Sequence, residues 1–147
     1  MAVAARQGQL GAVCLRGGDL LYWERSREYA KSNDRAEIFA ANLISEFEPD
    51  IFVTEDPTFA RRKHPSTKSL LSALAKAAQN DVERVVALER KQYFANMLEE
   101  AKDIAMRHPV LADYVPNQPF YEKEAREFVL FEAMELAEEA RDLLTND

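Results

Sequence analysis

A single cysteine, Cys14, and two histidines are all that the chain offers of the residue types that build disulfides and zinc sites. One cysteine forms no internal disulfide, and inside an apolar run it reads as a small core residue in a reducing compartment. No Cys/His spacing suits zinc. Four glycines among 147 residues make no glycine-rich phosphate loop and no dinucleotide fingerprint, and a Gly-x-Ser-x-Gly elbow is absent too. No apolar run approaches the roughly 20 residues that span a bilayer, and the start carries no apolar stretch of the secretory kind, so a soluble cytoplasmic chain is expected. Positive charge is also short: 19 Lys and Arg against 26 Asp and Glu leave a net charge of −7. That disfavours nucleic-acid binding by the whole surface and leaves room for a local basic patch. Repeats, low-complexity segments and linkers are lacking, so residues 1–147 read as one domain. An apolar fraction of 47% is enough for an ordinary core.

What is present is an alternation of strand and helix signals. Ala2–Arg6, Leu10–Leu15 and Leu20–Arg25, separated by Gly8 and by Gly17-Gly18, read as a three-strand meander. Asp34 and Glu37 resemble a capping box for a helix whose apolar positions run from Ala36 to Phe47. Pro49-Asp50 then breaks the helix. Ile51-Phe52-Val53 reads as a buried strand, with Glu55 and Asp56 at its tip and Pro57 stopping it. A helix over about Thr67 to Gln79, a strand over Val82–Leu88, a helix from about Phe94 to His108 and a long last helix from about Tyr121 to Leu144 complete the chain. Helix and strand alternating at this spacing argue for parallel pairing through right-handed crossovers.

Carboxylates at a strand tip in such a sheet face the crevice where ligands bind, although they also serve simply as solvated caps. The last helix adds a second acid. Its inward stripe reads Ala125, Phe128, Val129, Glu132, Ala133, Leu136, Ala140, Leu143 and Leu144, with Glu132 its one charged member. A carboxylate on an apolar stripe needs a cationic partner such as Arg90, a proton, or a metal shared with Glu55. The outer face of the same helix, with Glu124, Glu135, Glu138, Glu139 and Asp142, reads as solvated surface.

Directly after the acidic strand tip comes Arg61-Arg62-Lys63-His64. With Lys68, Arg90 and Lys91 these form a candidate phosphate-binding patch, and Phe59 and Tyr93 are candidate stacking faces for bases. The alternative is a solvated loop, and His64 reads equally as a general base or a loop residue.

The order of elements, together with Gly11-Ala-Val-Cys-Leu, Glu48-Pro-Asp-Ile-Phe-Val-Thr-Glu55 and, more loosely, Phe131-Glu-Ala-Met-Glu-Leu-Ala137, resembles the RuvC-type Holliday-junction resolvases. The resemblance implies a ribonuclease H-like α/β fold: a mixed sheet of about five strands with helices on both faces. It also implies a nuclease in which four carboxylates hold two Mg²⁺ ions about 4 Å apart and activate water for in-line attack on a phosphodiester. Glu55 takes the place of the strand acid and Glu132 that of the second acid of the last helix.

The other two acids depart from that pattern. The first-strand aspartate of the family falls near Ala4, and the first acid of its last helix falls at Val129. Asp56, Glu135, Asp19 and Glu127 are the candidates for migrated replacements, with Asp56 and Glu135 the nearest in sequence to Glu55 and Glu132. The expectation is therefore a RuvC-like domain that acts on or binds branched DNA with incomplete Mg²⁺ chemistry. A catalytically inactive protein-interaction or assembly module on the same fold is the alternative. DNA and a second copy of the chain are the candidate partners, and no membrane is expected.

Overall fold

The computed structural model describes residues 1–91, 96–116 and 128–145. Five strands, β1 (Ala2–Arg6), β2 (Gln9–Arg16), β3 (Asp19–Ser26), β4 (Ile51–Glu55) and β5 (Arg84–Leu88), form one sheet. Its order is β3-β2-β1-β4-β5. β1, β2 and β3 pair antiparallel, whereas β4 joins β1 and β5 joins β4 in parallel. The expected mixed sheet is therefore present, with the acid-tipped strand β4 inside the sheet rather than at its edge.

Two apolar layers hold helices on opposite faces. On one, α1 (Asn33–Phe47) and α2 (Pro65–Ala78) cover Val3, Ala5, Leu10, Ala12 and Phe52. On the other, α3 (Met97–Arg107) and α4 (Val129–Thr145) cover Ala2, Ala4, Val13 and Val53. Strand β1 lies between these layers, so successive side chains are buried on alternate faces, the pattern of a central strand with helices above and below. This overrides the poor strand propensity of Ala2–Ala5. Small side chains also let α4 approach closely: a Cβ at Gly11 would sit 2.9 Å from the Val129 carbonyl oxygen.

Local chemistry sets the element ends. Gln7 and Gly8, with φ of 41° and 79°, make the tight β1–β2 turn, in which two consecutive positive φ values match the twist of the flanking strands. Helix α1 begins two residues earlier than the Asp34–Glu37 box suggests, because the Ser32 side chain accepts from the Arg35 amide. Its end comes at Glu48, in the left-handed region with φ 45°, whose amide donates to Ile44 O. His64 caps α2, accepting from the Ser66 amide ahead of Pro65 at the first turn. Asn96 caps α3 in the same way. A 3-10 helix, Pro109–Tyr114, follows. Tyr93, Glu124, Ala125 and Glu127, and the start of the last helix expected near Tyr121, lie outside the described residues. Among the described residues no helix is long and apolar enough to cross a membrane.

Candidate functional site

The parallel register of β1 and β4 decides what stands beside what at the end of the sheet. Ala2 is opposite Val53. Two residues further along each strand, on the same face, Ala4 comes level with Glu55. Val129, one turn before Glu132 on α4, is buried in the same apolar cluster as Ala4. The four positions singled out by the resemblance thus share one end and one face of the sheet, two as carboxylates and two as apolar side chains.

Both carboxylates are buried, Glu55 at 5% exposure and Glu132 at 0%. Neither faces water and neither is without a cation. Lys63 Nζ lies 2.6 Å from Glu55 Oε1 and 2.6 Å from Glu132 Oε2, and it donates to Ala5 O at 2.8 Å. The Glu55 contact is one of charge: that oxygen lies off the hydrogen-bonding direction of its neighbours. The other oxygen of Glu132 accepts from Arg6. Burial by itself would push the Glu132 carboxyl up; the Lys63, Arg6 and Arg90 charges outweigh it and hold the group below its ordinary range.

Lys63 therefore belongs to the acid cluster and not to a surface phosphate patch. Its loop turns back over the sheet end because Asp56 Oδ1 accepts from the Thr58 amide in an Asx turn at the start of the loop and His64 caps α2 at its close. Arg6 follows from strand alternation, being on the same face of β1 as Ala2 and Ala4. Arg6 was not singled out in the sequence, and that alternation is the signal that could have found it. Arg90, the partner expected for Glu132, acts on it by charge while making its hydrogen bonds elsewhere.

Arg90 donates to Glu135 Oε2 at 2.7 Å and to both oxygens of Glu100 at 3.4 Å. Burial works against its charge, but the Glu132, Glu135 and Glu100 carboxylates raise the guanidinium above its ordinary value. Burial, then the hydrogen bond with Glu100, push Glu135 up to about 9, against the opposing pull of Arg90. Two carboxyls thus share one guanidinium, and Glu135 holds its proton above the ordinary carboxylate range. Glu100, only 3% exposed on α3, carried no sequence signal beyond its place in a helical repeat.

The described candidates for migrated acids do not join Glu55 and Glu132, and Glu127 lies outside the described residues. Glu135 turns toward α3 and Arg90, Asp56 is spent on its turn, and Asp19 lies exposed at the start of β3. The outer face of α4 is not simply solvated: Glu138 pairs with Arg107 at 3.1 Å and Glu139 with Lys91 at 3.3 Å. Leu143, expected inward, is 46% exposed. Arg90 and Lys91 thus have carboxylate partners already, and of the basic run Arg61 and Arg62 are the exposed arginines, with Lys68 half-buried on α2.

A two-Mg²⁺ centre does not fit these residues. Among the described residues no three His, Cys, Asp or Glu side chains converge as ligands. The two acids that do meet are balanced by Lys63 and Arg6, so added divalent charge would enter a cluster already neutral.

Above the cluster opens a cleft of about 690 Å³, lined by Arg6, Glu55, Phe59, Arg61, Arg62 and Lys63 among others. Its rim carries the two exposed arginines and Phe59, whose ring is 48% exposed. An exposed guanidinium pair beside an exposed aromatic face can contact phosphate and stack on a base.

No protein-family model matches the sequence, and no curated protein matches it. Among solved structures, RuvC of Thermus thermophilus is similar with a TM-score of 0.53 and 16% identity, over 95% of this chain and 93% of that one. At that identity the likeness speaks for the fold: a mixed five-stranded α/β sheet of the RuvC, ribonuclease H-like kind.

Proposed function

We propose that this chain is a RuvC-like domain that binds the backbone of branched DNA at the end of its sheet without two-metal cleavage. The carrying observation is the Lys63 ammonium between Glu55 and Glu132, 2.6 Å from each, with Arg6 on the remaining Glu132 oxygen. Cations thus occupy the place in which a two-metal nuclease holds its metal ions, and the acids make no strong negative field to repel a phosphate. Arg61, Arg62 and Phe59 on the rim support phosphate contact and base stacking. The fold neighbour is a RuvC, in keeping with nucleic acid as the ligand class.

Binding of this kind is electrostatic, set against a net charge of −7 on the whole chain. It therefore depends on the local cleft and weakens with salt. The test is fluorescence anisotropy with four-way-junction, duplex and single-stranded DNA at low salt, run beside a junction-cleavage assay in Mg²⁺ and Mn²⁺. Salt-sensitive binding without cleavage is expected. Metal-dependent cleavage abolished by Glu55→Gln would overturn the reading, as would absence of binding to all three DNAs.

The assembly-module alternative would use the sheet edge or the acidic face of the last helix, and on that helix Glu135, Glu138 and Glu139 are paired with Arg90, Arg107 and Lys91. What remains to it is the edge strand β3, where Leu21 is 47% exposed.

A further inference from the structure

Three oxygens from three different elements surround one side-chain nitrogen at the end of the sheet. Lys63 Nζ has Glu55 Oε1 of β4 and Glu132 Oε2 of α4 at 2.6 Å each, and Ala5 O of β1 at 2.8 Å. A lysine ammonium carries three N–H donors and no acceptor. Three is also a usual number of protein oxygens for a divalent cation that keeps its remaining waters.

We infer that the Lys63 ammonium is the resident cation of this sheet end, so that the fold, and the DNA binding proposed above, need no divalent metal. The inference rests on that proposal only where it concerns DNA. Its physical basis is the charge count at the cluster. Glu55 and Glu132 bring two negative charges, Lys63 and Arg6 two positive ones. Each acid keeps a cation at contact distance in a place too dry to leave a charge uncompensated.

The consequence reaches the cleft rim. Lys63 is tethered from below to β1, β4 and α4, while the same loop is pinned by the Asp56 turn at one end and by the His64 cap at the other. Arg61 and Arg62 immediately precede the tether and are exposed. Lys63 is therefore a positioning residue for those arginines, and its own charge is used internally.

A merely structural ion pair and a resident cation differ in what happens when the lysine is removed. Lys63→Ala leaves two carboxylates and a carbonyl oxygen facing a vacated space, which a divalent ion can enter. The experiment is thermal unfolding of wild type, Lys63→Ala and Lys63→Ala/Glu55→Gln, each in EDTA and in Mn²⁺ at matched ionic strength. The wild type should melt at the same temperature in both. Lys63→Ala should melt lower in EDTA and rise by about 5 °C in Mn²⁺ at roughly ten times its Kd. Adding Glu55→Gln should abolish the rise. A wild type stabilised by Mn²⁺, or a folded Lys63→Ala indifferent to it, overturns the inference.

Should Lys63→Ala not fold, the charge-balanced Lys63→Met/Glu55→Gln variant decides, because Arg6 still compensates Glu132. It should melt close to the wild type. A double variant that also fails to fold contradicts the charge count. The DNA arm is separate: wild-type affinity should be equal in EDTA and in Mg²⁺ at matched ionic strength. Loss of affinity in EDTA alone overturns the inference. Lack of DNA binding in either buffer overturns the proposed function and leaves the melting result standing.

Discussion

Arg90 and Glu135, 45 residues apart, meet through a 2.7 Å hydrogen bond between Nη1 and Oε2 that ties the segment after β5 to helix α4. Glu100 of α3 shares the same guanidinium, so one arginine joins the two helices on this face of the sheet. Because two carboxyls compete for one cation in a largely buried place, one of them retains its proton well above the ordinary carboxylate range.

The first prediction follows from that proton. Glu135 rises from an ordinary value of 4.5 to about 9, through burial first and Glu100 second. Between those limits the folded chain holds a proton that the unfolded chain releases. The resulting stability is complete below the unfolded value and is lost as pH climbs through the folded one. Urea unfolding between about pH 5 and pH 9 should show stability declining with pH, and Glu135→Gln, which imitates the protonated acid, should flatten the decline. An equal slope in the variant would refute the raised Glu135 carboxyl.

The second prediction concerns the cleft rim. Lys63 is occupied by Glu55, Glu132 and Ala5 O, so the proposed DNA contact would fall to Arg61 and Arg62. Neutralising both arginines should reduce the log–log dependence of DNA affinity on salt by roughly 2 units, at about 0.9 per phosphate contact. Melting temperature should hardly change, since both side chains are exposed. If the slope of the Arg61→Gln/Arg62→Gln variant equals that of the wild type, the phosphate path lies elsewhere.

Much of the fold was legible because period and punctuation agreed. Pro49-Asp50 and Pro57 bracket β4, and Gly8 and Gly17 mark the two hairpin turns. Ala4 and Val129 were legible as missing acids, and the register of Ala2 with Val53 puts Ala4 level with Glu55. The destination of Lys63 was not legible. A run of four adjacent polar residues has no periodicity to say that its third member turns inward while the first two stay in solvent. That depends on a loop reaching back across β1 to α4, a contact spanning 69 residues for Lys63 and Glu132. Arg6 was passed over in the sequence, although alternation alone sets it on the same face as Ala4. The pairing of α4 acids with Arg107 and Lys91 escaped for the same reason as Lys63: solvation and a neighbouring helix look alike in one-dimensional charge patterns.

The third prediction tests close packing at Gly11. A Cβ there would meet the Val129 carbonyl oxygen at 2.9 Å, a backbone atom with little freedom to move. Gly11→Ala should push α4 away from β2 and cost about 1–3 kcal/mol. The readout is a lower urea midpoint with an unchanged slope. An alanine that is neutral or stabilising would mean that α4 is not seated as closely as Gly11 and Val129 indicate.

The fourth prediction asks what the two missing acids would need. Ala4 and Val129 are both 0% exposed within one apolar cluster, next to acids already balanced by Lys63 and Arg6. Ala4→Asp/Val129→Asp alone therefore adds two buried carboxylates without adding cations, a change that costs several kcal/mol or forces them to take up protons. Adding Lys63→Ala removes the competing ammonium and leaves four carboxylates to share incoming metal. Isothermal titration with Mn²⁺ should find the triple variant binding at least tenfold tighter than the double, a difference of about 1.4 kcal/mol or more. Unfolding in the presence and absence of Mn²⁺ should show the triple variant gaining the larger metal-dependent stability. Equal affinity in the two variants would mean that Lys63 does not compete for the place that metal enters, and that the sheet end is closed to divalent ions for some reason other than the ammonium.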